Sequence, residues 1–177
     1  MPTKTRARVF FALWPNTEER AALAAWQLPL QKLCGGRLMS LDTLHNTLVF
    51  LGEVEFERLE KLRLAAQEVN GAAFQLHFDT ARYWGHNHIV YASPAAVPMQ
   101  LAHLVFELEQ RLRHHHFKFD RRAYKPHVTL LRHAQWTDSP LPGLPLVQWN
   151  IQDFALVQSL SEGQLVRYEV LARFALK

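Results

Sequence analysis

Apolar and polar positions along the 177 residues follow two periods, one of two residues and one near 3.6, and their order predicts a mixed fold. Residues 8–13 form a short, Phe-rich apolar run that reads as a strand. Asn16 and Glu19 are spaced for a capping box behind Pro15, so a helix is expected from there to about residue 33. Pro29 is expected to kink or shorten it, and Cys34-Gly35-Gly36 to end it. Residues 44–51 are a Leu-rich run with His45 and Thr47 set into it, a second strand closed by Gly52. Residues 56–69 carry helical spacing and stop at Asn70-Gly71. Strands are expected over 74–84 and 88–92, joined around Gly85-His86-Asn87. From Met99 to about His115, Leu101, Leu104, Val105, Leu108 and Leu112 mark one buried helical face. A strand carrying His127 and Thr129 follows, then a Pro-containing loop over 136–145. Residues 151–160 and 164–176 close the chain as a hairpin around Ser161-Glu162-Gly163.

This order hides a repetition. Strand 8–13, helix and strand 44–51 mirror strand 88–92, helix and the strand of His127. Pro15 opens the first helix and Pro94 the second, and each unit ends on the same tripeptide pattern: His45-Asn46-Thr47 in LHNTLVFLG, and His127-Val128-Thr129 in PHVTLLR. The expected architecture is α+β: two pseudo-symmetric β-α-β lobes with largely antiparallel sheets facing a central cleft and helices outside, in one bilobal domain over residues 1–177.

With ten His and eight Thr in the chain, chance alone supplies about 0.45 His-x-Thr tripeptides, so the pattern by itself says little. Its place at the end of both repeats says more. Residues i and i+2 of a strand share a face, so His45 projects with Thr47 and His127 with Thr129. If the lobes face one another, two imidazoles and two hydroxyls meet in a phosphate-sized space. One imidazole can give a proton to a leaving oxygen while the other takes one from water, each role worth roughly 10²- to 10⁴-fold in rate. The hydroxyls supply neutral donors where negative charge develops. The near-symmetry of the motifs leaves the order of acid and base open.

Composition narrows the partners. Twenty Lys and Arg against sixteen Asp and Glu give a net charge of +4, which favours anionic partners. The densest basic window, 111–125, holds Arg111, Arg113, Lys118, Arg121, Arg122 and Lys125 against Asp120. It reads either as an RNA-backbone surface or as a solvated helix end. The lone Cys34 excludes an internal disulfide and zinc-ribbon chemistry and agrees with a reducing cytoplasm. No stretch approaches 18 uninterrupted apolar residues, so no membrane contact is expected. In His114-His115-His116, successive helical residues diverge by about 100° and do not share an ion. His86 and His88 lack a completed ligand set, and hairpin surface is their expected place. Phe10, Phe11, Phe50, Tyr83, Trp84 and Tyr124 are candidate base-stacking residues, of which strand alternation sends about half inward.

With both motifs in place, the chain resembles the two-histidine (2H) phosphoesterases, and among them the bacterial RNA 2′,3′-cyclic phosphodiesterases, also called 2′-5′ RNA ligases. The resemblance spans nearly the whole chain: the opening RVFFAL, LHNTLVFLGE, PHVTLLR and the closing RYEVLARFAL. It implies an enzyme that opens an RNA 2′,3′-cyclic phosphate to a 2′-phosphate without a metal or a covalent intermediate, with the capacity to join such an end to a 5′-hydroxyl as a 2′-5′ linkage; no cofactor is expected, and nothing in the sequence demands more than a monomer. It further implies that His45 protonates the departing oxygen, that His127 activates water, and that Arg132 contacts phosphate or ribose. Asn46 departs from the family's usual apolar residue; pointing away from the cleft, it is expected to have no catalytic effect. Alternatives are a phosphodiesterase for another cyclic phosphate or an oligonucleotide 3′ end, and an RNA-binding module without turnover.

Overall fold

A computed structural model describes residues 3–177; the first two residues of the basic N-terminal segment lie outside it. Strand β1 (Arg6–Leu13) leads into helices α1 (Thr17–Ala24) and α2 (Gln27–Cys34). After the two-residue strand β2 (Arg37–Leu38) come β3 (Asn46–Glu55) and α3 (Leu59–Gln67). Strands β4 (Phe74–Phe78), β5 (Thr80–Trp84) and β6 (Ile89–Ser93) precede the longest helix, α4 (Met99–His114). The chain ends with β7 (Val128–Arg132), β8 (Val147–Ile151), β9 (Asp153–Glu162) and β10 (Leu165–Ala175). The strands form a sheet in the order β10-β9-β1-β3, a second in the order β2-β7-β6-β5, and the pair β4-β8. Every pairing is antiparallel. Each lobe therefore joins two neighbouring antiparallel strands through helix, β1 to β3 and β6 to β7, and the mixed antiparallel class expected from the repeats holds.

Three expectations need correction. The single helix to residue 33 is two helices, and the break falls at Ala25-Trp26 rather than at Pro29. Pro29 sits in the first turn of α2, where a backbone N–H has no intrahelical acceptor to lose. Trp26 is fully buried at the break, and its indole N–H donates to the Pro145 carbonyl at 2.8 Å. The expected strand over 74–84 is two strands in different sheets. Phe74, Leu76 and Phe78 are buried in one phase, Ala81 in the other, and the change falls at Asp79. The Asp79 carboxylate accepts from the Ala95 N–H at 2.8 Å, which fixes the corner. Finally, β8 follows the Pro-containing loop, with Val147, Trp149 and Ile151 buried between exposed Gln148 and Asn150. The closing hairpin then starts at Asp153.

Local signals explain much of the rest. The capping box is formed, with Asn16 Oδ1 accepting from Glu19 N–H at 2.8 Å and Glu19 Oε1 accepting from Asn16 N–H at 3.1 Å. The other carboxylate oxygen of Glu19 accepts from Asn150 N–H at 2.6 Å, tying α1 to β8. Helix α4 buries Leu101, Leu104, Val105, Leu108 and Leu112, the stripe expected from its spacing. These and the inward residues of both large sheets form one continuous core that includes Phe11, Trp26, Leu62, Phe78, Leu130 and Trp149.

Each lobe also lends an arm to the other. At Gly36 (φ +84°) the chain passes so close to β7 that a Cβ would lie 2.5 Å from the Arg132 carbonyl, which excludes any larger residue. This approach lets β2 pair Arg37 with Arg132 and Leu38 with Leu131, and Met39 N–H reaches the Leu130 carbonyl at 3.0 Å. In the opposite direction, Asp120 N–H, in the segment after α4, donates to the Phe50 carbonyl of β3 at 2.8 Å. These exchanged arms fix the two His-x-Thr strands relative to each other. Among the described residues, no helix is long and apolar enough to cross a membrane.

Candidate active site

Between the two large sheets lies a cleft of about 180 Å³. The first lobe contributes His45 and Thr47, and the second His127, Thr129 and Arg132. Phe10, Phe50 and Tyr168 supply aromatic wall, and Met39 and Thr43 come from the arm before β3. All five residues singled out by the sequence motifs thus line one space. Each histidine stands one residue before its strand, at the mouth of the ladder rather than inside it.

Both imidazoles are anchored in the same way. His45 Nδ1 lies 2.7 Å from the Thr43 carbonyl, and His127 Nδ1 lies 2.8 Å from the Lys125 carbonyl. A carbonyl only accepts, so each Nδ1 carries its proton and, in the neutral ring, Nε2 keeps its lone pair. The repeat reproduces this detail two residues upstream of each ring. At His45, Nε2 is 3.0 Å from Thr47 Oγ1, so the hydroxyl donates to the neutral ring and accepts from the charged one.

The surroundings differ. His45 is enclosed by Phe10, Trp14 and Tyr168, with ring centroids 5.0, 5.5 and 5.1 Å away. Burial drives its pKa from the ordinary 6.5 down to about 4; the Thr43 hydrogen bond opposes this, and the positive charges of His127, Arg20 and Arg132 reinforce it. His127 meets the edge of Trp84 at 4.6 Å and Tyr91 at 5.7 Å. Burial lowers its pKa too, against the bond to Lys125. At neutral pH both rings are therefore uncharged bases. An anion held in the cleft would favour the charged form of either ring and so oppose this lowering.

Several contributors lie beyond what the motifs indicate. Asn46, expected to be without effect, is fully buried and reaches the second motif, accepting from His127 N–H at 2.8 Å. Tyr168 comes from the closing hairpin, which the repeat does not include. Arg20 sits 5.2 Å over the Trp14 ring, behind His45. Among the candidate stacking aromatics, Phe10 and Phe50 line the cleft and Trp84 abuts His127, whereas Phe11 is core. Tyr83 packs instead on Trp136, and Tyr124 bonds Asn46.

The other histidines and the basic window resolve into ordinary contacts and a remainder. His115 Nε2 lies 3.0 Å from Glu68, and His86 and His88 sit in the β5-β6 turn. Arg111 pairs with Glu68 and Glu107, Arg113 with Glu109, and Arg122 with Asp120 at 2.6 Å. Lys118, Arg121 and Lys125 have no carboxylate partner among the described residues.

Comparison with known proteins agrees with the fold. The family model described as LigT like Phosphoesterase matches residues 13–91. The chain is 31% identical over 172 residues to the RNA 2′,3′-cyclic phosphodiesterase of Escherichia coli K12, covering 96% of each chain. The crystal structure of E. coli LigT in apo form superposes with a TM-score of 0.86 at 30% identity, over 98% of this chain and 99% of that one. E. coli LigT complexed with 3′-AMP gives 0.84 at 30% identity, over 97% and 98%. Identity at this level along the full length, with the shared fold, places this chain in the LigT-like phosphoesterase family of the 2H superfamily.

Proposed function

We propose that this protein opens a 2′,3′-cyclic phosphate at an RNA 3′ end to a 2′-phosphate, by metal-independent acid-base catalysis between His45 and His127. The observation that carries the reading is the pair of Nδ1-anchored imidazoles on one phosphate-sized cleft with two threonines and an arginine. The E. coli relative is an RNA 2′,3′-cyclic phosphodiesterase, and E. coli LigT forms a crystalline complex with 3′-AMP.

Three groups drawn from the two lobes would hold the anion. The Thr47 and Thr129 hydroxyls donate to nonbridging oxygens, and the Arg132 guanidinium offsets the negative charge. His127 Nε2, with its lone pair free, accepts a proton from water as the water oxygen attacks phosphorus. His45, protonated on Nε2 once the anion has raised its pKa, gives that proton to the departing 3′ oxygen. The order of the two roles is that of the family resemblance. An imidazolium partly desolvated by its aromatic neighbours gives up its proton readily, and that suits His45 to protonating an alkoxide. With a 5′-hydroxyl in place of water, the same two groups act in the same roles: His127 takes the hydroxyl proton as P–O5′ forms, His45 protonates O3′ as P–O3′ breaks, and the product is a 2′-5′ linkage. We further infer that residues 1–177 act as one bilobal unit, a reading supported by the core shared between the lobes, and that it works as a monomer in the cytoplasm, a setting with which the single thiol of Cys34 is compatible.

The test is turnover of an oligoribonucleotide ending in a 2′,3′-cyclic phosphate, with the product resolved as 2′- or 3′-phosphate. His45→Ala and His127→Ala each lower kcat by about 10²- to 10⁴-fold, and EDTA changes nothing. Wild-type activity in either variant, a 3′-phosphate product, or loss of activity in EDTA overturns the proposal.

A further inference from the structure

The residue between His45 and Thr47 faces away from the cleft, yet its side chain ends on the other catalytic half. Asn46 is fully buried, and its Oδ1 accepts from His127 N–H at 2.8 Å across 81 residues of sequence. Its Nδ2 donates to the Tyr124 hydroxyl at 3.0 Å. The amide orientation is fixed, because a backbone N–H only donates and the atom facing it must be the oxygen.

The bond fills a specific gap. The β6-β7 ladder begins with Ala92 opposite Val128, so His127 N–H lies just outside it. Pro126, immediately before, has no N–H to share in holding this turn. A half-buried N–H without an acceptor is costly, and Asn46 is the acceptor. With the ring Nδ1 held by the Lys125 carbonyl at 2.8 Å, His127 is gripped at backbone and ring together. The mirror position offers no equivalent: Val128 is an apolar, fully buried residue.

We propose that Asn46 is a positioning residue that sets the catalytic geometry of His127 from the opposite lobe, so that the first motif orients the base of the second. This inference rests on the reaction proposed above. Trp84 on β5 and Tyr91 on β6 pack on the His127 ring, and His45 and Arg132 are the other titratable or charged side chains that line the cleft with it. None of them replaces the missing acceptor when Asn46 is removed.

Steady-state kinetics on the cyclic-phosphate oligonucleotide, over a range of pH, test this with Asn46→Leu, Asn46→Asp and His127→Ala compared with wild type. Leu at 46 leaves His127 N–H and the Tyr124 hydroxyl unpaired. Loosened aim of this kind costs kcat by roughly 10- to 100-fold, with KM within about threefold because Thr47, Thr129 and Arg132 still hold the phosphate. Asp at 46 accepts from both partners, so it recovers most of the kcat missing in Asn46→Leu. Its negative charge also moves the limb on which His127 loses its proton to higher pH. An Asn46→Leu enzyme with wild-type kcat, or one whose kcat and KM change equally, overturns the inference. So does an Asn46→Asp enzyme with no recovery and an unmoved pH limb, which would leave Asn46 only a core residue. A wild-type rate in His127→Ala instead removes the reaction itself, so the two failures are distinguishable. If Asn46→Leu does not fold, the Asn46→Asp pH profile alone decides.

Discussion

The two halves of the cleft are built from the same motif and hold their imidazoles by the same carbonyl contact, yet they give those rings different surroundings. His45 sits among three aromatic rings beside Arg20, with its Nε2 already engaged by Thr47. His127 has two aromatic neighbours and a backbone held by a side chain of the other lobe. The repeated motif thus sets two imidazoles in matching positions, and local packing gives them unequal surroundings. In the proposed reaction that inequality distinguishes the ring that gives a proton from the ring that takes one.

The threonines test the inequality most strongly. Thr47→Val and Thr129→Val each remove a donor from the phosphate and lower kcat by about 10²-fold. Of these two variants Thr47→Val also changes the ring beside it, because the Thr47 hydroxyl lies 3.0 Å from His45 Nε2 and the Thr129 hydroxyl has no such bond to His127. A ¹⁵N spectrum of the imidazoles should move for His45 in Thr47→Val and stay in place for His127 in Thr129→Val. Equal movement of both rings would erase the distinction.

The enclosure of His45 also has a consequence for stability. Its pKa is lower in the folded state than in the unfolded chain, so below about 6.5 the unfolded chain binds the extra proton and folding weakens as pH falls. Between pH 7.5 and pH 5 the loss is about 2 kcal/mol from this one group. Urea denaturation at the two pH values should show that difference in wild type and a smaller one in His45→Asn. An unchanged difference in the variant would place the acid sensitivity elsewhere.

The smallest effect concerns the basic window. Lys118, Arg121 and Lys125 are its cations without a carboxylate partner among the described residues. Replacing each by Gln should weaken binding of an RNA end and flatten the dependence of log affinity on log salt by about 0.7 for each phosphate no longer neutralised. A slope equal to wild type in all three would remove the window from the RNA path.

Much of this is legible in the sequence, for physical reasons that differ from residue to residue. His45, Thr47, His127 and Thr129 stand out because strand period two and an internal repeat are both local patterns. Helix α4 is readable because five apolar residues keep one face over its whole length. The break at Trp26 is not, because it is set by packing and by a bond to Pro145, 119 residues away. Strand β8 carries a clear alternation, Val147, Trp149 and Ile151, but the prolines before it conceal where the loop ends. Asn46 is the most instructive case. Which face it points to follows from the strand, but what waits on that face follows only from how the two lobes meet.

The central claim, that one imidazole gives a proton while the other takes one, is tested most directly by the pH dependence of kcat/KM for the two histidine variants on a cyclic-phosphate RNA. Wild type should give a bell. The residual rate of His45→Ala, which keeps the base, should rise with pH to a plateau, and that of His127→Ala, which keeps the acid, should fall as pH rises. Residual rates with the same pH dependence in both variants, or an intact bell in either, would contradict the division of labour between the two halves.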